Sequence, residues 1–131
     1  MFNLTSTPTR LLALSLLLMG CVVPQQRSTS VDASTFADRL SKGNTQLVDV
    51  RTAAEYADGH IAGALNFDWT NGQLEQRAAE LDKSKPVLLY CASGRRSAAA
   101  REYLKEQGFT DVVDLAGGLA TWMDADMPVE Q

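Results

Sequence analysis

A single histidine and two cysteines in 131 residues leave no set of side chains at metal-ligand spacing, so a structural zinc site is excluded. Nor is there a run of Lys or Arg. The formal net charge is -4, and Arg10 is the only charged side chain in residues 1–20, so the rest of the chain is more acidic still. An acidic chain without a basic stripe argues against nucleic acid as its main partner. No internal repeat is visible, no motif implies an organic cofactor, and the length fits one domain. With 45% apolar and 21% charged residues, the composition is that of a globular chain with a real core.

Long apolar runs are also missing. The longest, Leu11 to Met19, is broken only by Ser15; it is too short to span a bilayer as a helix but has the length of a signal-peptide core. It lacks the polar face that a surface helix needs. The run ends in Leu18-Met19-Gly20-Cys21, which resembles the lipobox of bacterial lipoproteins. That resemblance implies that residues 1–20 are a signal peptide and that Cys21 is lipidated. It also implies an exported protein, held on the periplasmic side of a membrane by its lipid anchor. Val22 to Ser30 is polar, contains Pro24 and has no apolar periodicity; residues 21–30 are therefore expected to be the lipidated cysteine and a flexible tether. The folded domain is expected over 31–131, enough chain to bury one core without staples.

Within that span, helical and strand patterns alternate. Ser34 as a cap and apolar residues at 36, 37 and 40 predict a short helix ending before Gly43. Gln46 to Val50 is a compact apolar run and predicts a buried strand. Ala53 to Ala57 allows one or two helical turns, Ala64 to Phe67 a short strand, and Gln73 to Leu81 a helix. Val87-Leu88-Leu89-Tyr90 carries the strongest strand signal, because four apolar residues in succession suit a sheet covered on both faces. A helix over Ser97 to Gln107 follows, with Gly108 closing it. A strand over Asp111 to Leu115 and a last helix after Gly117-Gly118 complete the order. Such alternation predicts an α/β domain with a mainly parallel sheet, whose ligands bind outside the carboxyl ends of the strands.

Cys91 lies at one of those ends, directly after Tyr90. The segment Ala92-Ser93-Gly94-Arg95-Arg96 joins it to the helix expected from Ser97. A tight loop entering a helix N-terminus points backbone N–H groups inward, and the helix dipole adds partial positive charge. A cysteine there, flanked by Arg95 and Arg96, has its thiolate favoured, as nucleophilic sulfur chemistry requires. Gly94 supplies the backbone freedom to curl the loop round the sulfur. A buried cysteine is in most proteins merely a small apolar residue. If Cys21 is lipidated, however, Cys91 is the only free thiol of an exported chain, which needs a use to be tolerated.

Three stretches together resemble the rhodanese family. The first is Leu47-Val48-Asp49-Val50-Arg51 with Glu55-Tyr56 and Gly59-His60-Ile61-Ala62-Gly63-Ala64-Leu65-Asn66. The second is Cys91-Ala92-Ser93-Gly94-Arg95-Arg96-Ser97, and the third is Gly117-Gly118 with Trp122 and Pro128. The resemblance implies a five-stranded, mainly parallel sheet with helices on both faces. It further implies sulfurtransferase activity through a persulfide on Cys91, with Ala92, Ser93, Gly94, Arg95, Arg96 and Ser97 binding the substrate. The substrates implied are a small anionic sulfur donor such as thiosulfate and a thiol or cyanide acceptor. Asp49, Arg51 and Glu55 are implied as structural neighbours of the site, with Arg51 pairing to Glu55. His60 falls at a scaffold position, and Trp69 and Trp122 read as packing residues.

Two other readings use the same elements. A cysteine-dependent phosphatase or arsenate reductase places five residues between its cysteine and arginine, whereas four separate Cys91 from Arg96, and Tyr90 stands where tyrosine phosphatases have histidine. A non-catalytic binding module of the same fold usually lacks the cysteine that this chain retains.

Overall fold

The computed structural model describes residues 20–21 and 27–131. The expected signal peptide and most of the expected tether thus lie outside the described residues; Cys21 itself is exposed.

Five strands, β1 (Arg27–Val31), β2 (Gln46–Asp49), β3 (Leu65–Asn66), β4 (Val87–Tyr90) and β5 (Asp111–Leu115), form one sheet in the order β1-β5-β4-β2-β3. All four pairings are parallel. Parallel strands cannot be joined by tight turns, so helices fill the crossovers: α1 (Ala33–Ser41), α2 (Ala53–Asp58), α3 (Gln73–Arg77) with a 3-10 turn at Ala78–Glu80, α4 (Arg95–Glu106) and α5 (Gly118–Asp124).

The central strands alternate their side chains between two apolar layers, as the pleat demands. Val87 and Leu89 of β4 join Leu74, Ala100 and Leu104 from the α3 and α4 side. Leu88 and Tyr90 join Phe36, Leu119 and Trp122 from the α1 and α5 side. Covering on both faces explains the unbroken apolar run of β4, all four of whose residues are buried. Trp122 is a packing residue, edge-on to Phe36 with its indole N–H donating to Pro128 O at 2.9 Å. Trp69 packs against the opposite layer beside Tyr103.

Local chemistry sets the element ends. Helix α1 starts two residues earlier than Ser34 would cap it, because Asp32 accepts from Thr35 N at 2.8 Å. Helix α4 closes as expected on Gly108: Gly108 N reaches Lys105 O and Phe109 N reaches Leu104 O, both at 3.1 Å, while Phe109 and Leu104 share one apolar layer. The helix expected to Leu81 loosens into the 3-10 turn after Arg77.

The sheet corrects one expectation. Arg27 to Ser30 is not tether: with Val31 it forms β1, paired along its length with β5 and supplying the fifth strand for which no apolar signal exists. The ladder to β5 is made by main-chain groups, which every residue type supplies. Ser30 is fixed further by its hydroxyl, which donates to Asp114 Oδ1 at 2.7 Å.

The chain runs outward from β2 to β3, then crosses back to β4 and on to β5. The strand order therefore reverses between β2 and β4, and a crevice opens beyond their carboxyl ends. If β1 is part of the folded unit, a chain starting at Asp32 should be less stable than one starting at Arg27. Loss of the ladder to β5, at about 1 kcal/mol net per bond, predicts a loss of at least about 2 kcal/mol in urea unfolding. Equal midpoints for the two chains would restore the tether reading.

Candidate active site

Cys91 follows β4 immediately and is buried. Helix α4 begins at Arg95, two residues earlier than its sequence pattern indicates, so the loop proper is only Ala92-Ser93-Gly94. Gly94 holds a left-handed conformation, φ 97°, and its N–H donates to Cys91 Sγ at 3.1 Å. A side chain at 94 is barred twice, by the φ and by a Cβ that would lie 2.9 Å from Gly117 N.

Burial by itself pushes the Cys91 thiol up. Hydrogen bonding from the Ser97 hydroxyl and from the N–H groups of Ser97, Gly94 and Ser93 outweighs it and holds the thiol below its ordinary value. The Ser97 hydroxyl is buried and has one proton to give, with Gly94 O at 3.2 Å and Asp114 Oδ2 at 3.5 Å as further acceptors. Asp114, buried on β5, also accepts from Arg101 Nη1 of α4, which fixes the roll of that helix over the sheet. Asp114 and Arg101 are absent from the sequence-based set of site residues. The available signal was a carboxylate in the middle of an apolar strand.

Two backbone bonds close the loop from the other side. Leu119 N donates to Cys91 O at 2.8 Å and Ala120 N to Ala92 O at 3.2 Å. This approach requires Gly118 at φ 64°, where a Cβ would fall 2.5–2.6 Å from the backbone of Ala92 and Cys91. The glycine pair is thus the wall against which the cysteine loop rests.

The charged residues are arranged differently from the expected Arg51–Glu55 pair. Arg51 turns inward, with Nη2 donating to Asp49 Oδ2 and to Gly59 O, each at 2.6 Å, and Nε 3.0 Å from Asp49 Oδ1. Asn66 Nδ2 donates to the carbonyls of Asp49 and Arg51 at 3.2 and 2.9 Å. Glu55 is the third residue of α2 and turns back on the Thr52 cap, accepting from Thr52 N at 2.9 Å. Its partner is Arg96, whose Nη1 and Nη2 donate to Oε2 and Oε1 at 2.8 and 2.9 Å. Those hydrogen bonds from Arg96 are the main reason the Glu55 carboxyl is held at about 2. Arg96, not Arg95, therefore faces the pocket, within electrostatic reach of Cys91 and of buried Asp68. Arg95 is exposed.

His60 is held as scaffold. Its Nδ1 lies 2.9 Å from Tyr56 O, its Nε2 3.4 Å from Glu130 Oε1, and its ring stacks on Tyr56. Tyr90 braces the same region by accepting from Ile61 N at 3.0 Å.

A buried thiol in an amide cradle, at the carboxyl end of a central parallel strand of an α/β domain, has its thiolate form favoured. A family model described as the Rhodanese-like domain matches residues 32–125, and the chain belongs to that family. It is 36% identical over 100 residues to a protein of Allochromatium vinosum named Sulfurtransferase, covering 76% of this chain and 92% of that one. It is 39% identical over 83 residues to Thiosulfate sulfurtransferase GlpE of Coxiella burnetii, covering 63% and 76% respectively. The crystal structure of a rhodanese-related protein from Thermoplasma volcanium superposes with a TM-score of 0.70 at 30% identity, covering 78% of this chain and 97% of that one.

Two predictions follow from the loop geometry. Gly118→Ala forces both a positive φ and a backbone clash, and should cost roughly 2–4 kcal/mol of stability; thermal unfolding at an unchanged temperature would contradict the wall described above. In a Cys21→Ala background, the ultraviolet thiolate absorbance of Cys91 should titrate below the ordinary thiol value of 9.0. Ser97→Ala should move that titration upward, because it removes a donor to the charged form. No movement would show that the hydroxyl serves its other acceptors alone.

Proposed function

We propose that the protein is a sulfurtransferase that carries a sulfane sulfur on Cys91 as a persulfide, taking it from thiosulfate or a related donor and passing it to a thiol or cyanide. The observation that carries this reading is the Gly94 N–H on Sγ at 3.1 Å inside a loop of three residues. The sulfurtransferase names of two relatives support the reaction class.

The chain's own groups suffice for the transfer. The Cys91 thiolate attacks the outer sulfur of the donor, the donor's sulfur–sulfur bond breaks, and its electron pair leaves with sulfite. The amides of Ser93, Gly94 and Ser97 and the dipole of α4 favour negative charge at the terminal sulfur before and after transfer. No base is needed for a thiol already ionised, and the two ring nitrogens of His60 both face other partners. The short loop supports sulfur transfer over phosphate chemistry, since helix α4 starts within four residues of Cys91 and leaves little arc to wrap a tetrahedral phosphate.

We further propose, on the Leu18-Met19-Gly20-Cys21 sequence, that the protein is exported and lipidated on Cys21. Two acyl chains there would anchor it to a membrane, where one would hold it only marginally.

Intact-mass measurement on the membrane fraction tests both proposals. After thiosulfate the parent should gain one sulfur atom on a lipid-modified mass, lose it on addition of cyanide, and show parallel-line kinetics when donor and acceptor are varied together. Cys91→Ser should neither gain the sulfur nor turn over. Cys21→Ala should appear in the soluble fraction. Turnover in Cys91→Ser would defeat the persulfide route, and a membrane-bound Cys21→Ala would defeat the lipid anchor.

A further inference from the structure

Among the described residues, Glu55 and Arg96 form the one ion pair that joins the segment after β2 to the start of α4. Arg96 donates one N–H from each Nη to the two carboxylate oxygens of Glu55. Bidentate geometry of this kind turns the guanidinium toward the carboxylate and offsets the charge that would otherwise attract an incoming oxyanion. The carboxylate is also held from its own side, by Thr52 N at 2.9 Å and the Thr52 hydroxyl at 3.1 Å, so it has no freedom to swing away and release the arginine. The pair is partly open to water, with side-chain exposures of 25% for Arg96 and 37% for Glu55, and Arg96 lies within electrostatic reach of Cys91.

We infer that, within the sulfurtransferase reading on which this rests, Glu55 is a specificity-determining residue. By occupying Arg96 it biases the pocket toward monoanionic sulfane donors of the thiosulfonate class and against dianionic thiosulfate.

The charge count supports this. The thiolate of Cys91 is one negative charge. Arg96 and Glu55 cancel each other. Asp68, buried and within electrostatic reach of Arg96, adds a second negative charge whose hydrogen-bond donors are the amide and hydroxyl of Thr70. Arg95 is exposed, and among the described residues no ion pair or hydrogen bond holds it toward the loop. The positive features left for the donor are the amide cradle and the dipole of α4, which amount to a fraction of a unit charge. That suits a donor with one negative charge and opposes one with two.

The transfer step balances with a thiosulfonate. Cys91 Sγ forms a bond to the outer sulfur, the sulfur–sulfur bond of the donor breaks, and the electron pair leaves with the sulfinate. A Cys91 persulfide anion remains, and no oxidant or proton is consumed.

The test is kcat/KM for benzenethiosulfonate and for thiosulfate, with cyanide as acceptor, in the full chain and in Glu55→Gln. The amide oxygen keeps an acceptor for Thr52, while the charge and one of the two acceptors of Arg96 are removed. Since sulfinate and sulfite differ as leaving groups, the diagnostic is the change in donor ratio on substitution. Freeing one charge-assisted contact of Arg96 should raise the thiosulfate value about tenfold, mainly through KM, and move the thiosulfonate value by less than about threefold. In the parent, added salt should raise the thiosulfate value more than the thiosulfonate value, because it screens the larger repulsion. This second measurement stands even where the variant folds poorly. An unchanged donor ratio, equal losses on both donors, or a thiosulfate rate that falls with salt overturns the inference and leaves sulfur transfer intact. Failure of both donors to load Cys91 in the parent overturns the sulfurtransferase reading and this inference with it.

Discussion

Two backbone hydrogen bonds, from Leu119 N to Cys91 O and from Ala120 N to Ala92 O, bring the first turn of α5 against the end of β4. Both donors belong to the unsatisfied N-terminal amides of a helix, and both acceptors to carbonyls just beyond a strand, so each bond pairs groups that secondary structure alone leaves unpaired. The approach is so close that no side chain fits at Gly94 or Gly118. With the carbonyls of 91 and 92 turned toward α5, the amides of 93, 94 and 97 are free to face the sulfur. The position of the Cys91 thiol thus follows from main-chain geometry at the junction of β4, α4 and α5.

Around that junction, arginines and carboxylates settle the remaining freedom. Asp49 and Arg51 are buried together behind β2; Arg101 and Asp114 lock α4 over β5; Glu55 and Arg96 bridge the segment after β2 to the nucleophile loop. Burial of the first pair says little about net stability, since desolvation offsets much of the attraction. The geometry of the three pairs does say what they position. Each joins elements that flank the crevice, and each guanidinium is directed by at least two hydrogen bonds.

Much of this was legible in the residue order. The apolar run of Val87 to Tyr90 marks a central strand because only a sheet covered on both faces tolerates it. A cysteine directly after that strand, with a glycine three residues on and a helix pattern behind it, marks the site. Helix α4 starts at Arg95, two residues before the start at Ser97 that the apolar pattern predicts, because that pattern does not extend over the charged side chains Arg95 and Arg96.

What local pattern determined was therefore the order of the elements, the central strands and the place of Cys91 at a strand end, since apolar periodicity and backbone freedom are written residue by residue. Tertiary structure alone decided the rest. Strand β1 is polar and exists because β5 offers it an unpaired edge. The family resemblance implies an Arg51–Glu55 pair, yet the Thr52 cap turns Glu55 one way while Asp49 and Gly59 draw Arg51 the other. Arg96 then reaches Glu55 across the crevice, and Asp114 finds Ser97 and Arg101 across the sheet. The choice of ionic partner depends on which strands lie side by side, and strand order is a long-range property that no window of neighbouring residues contains.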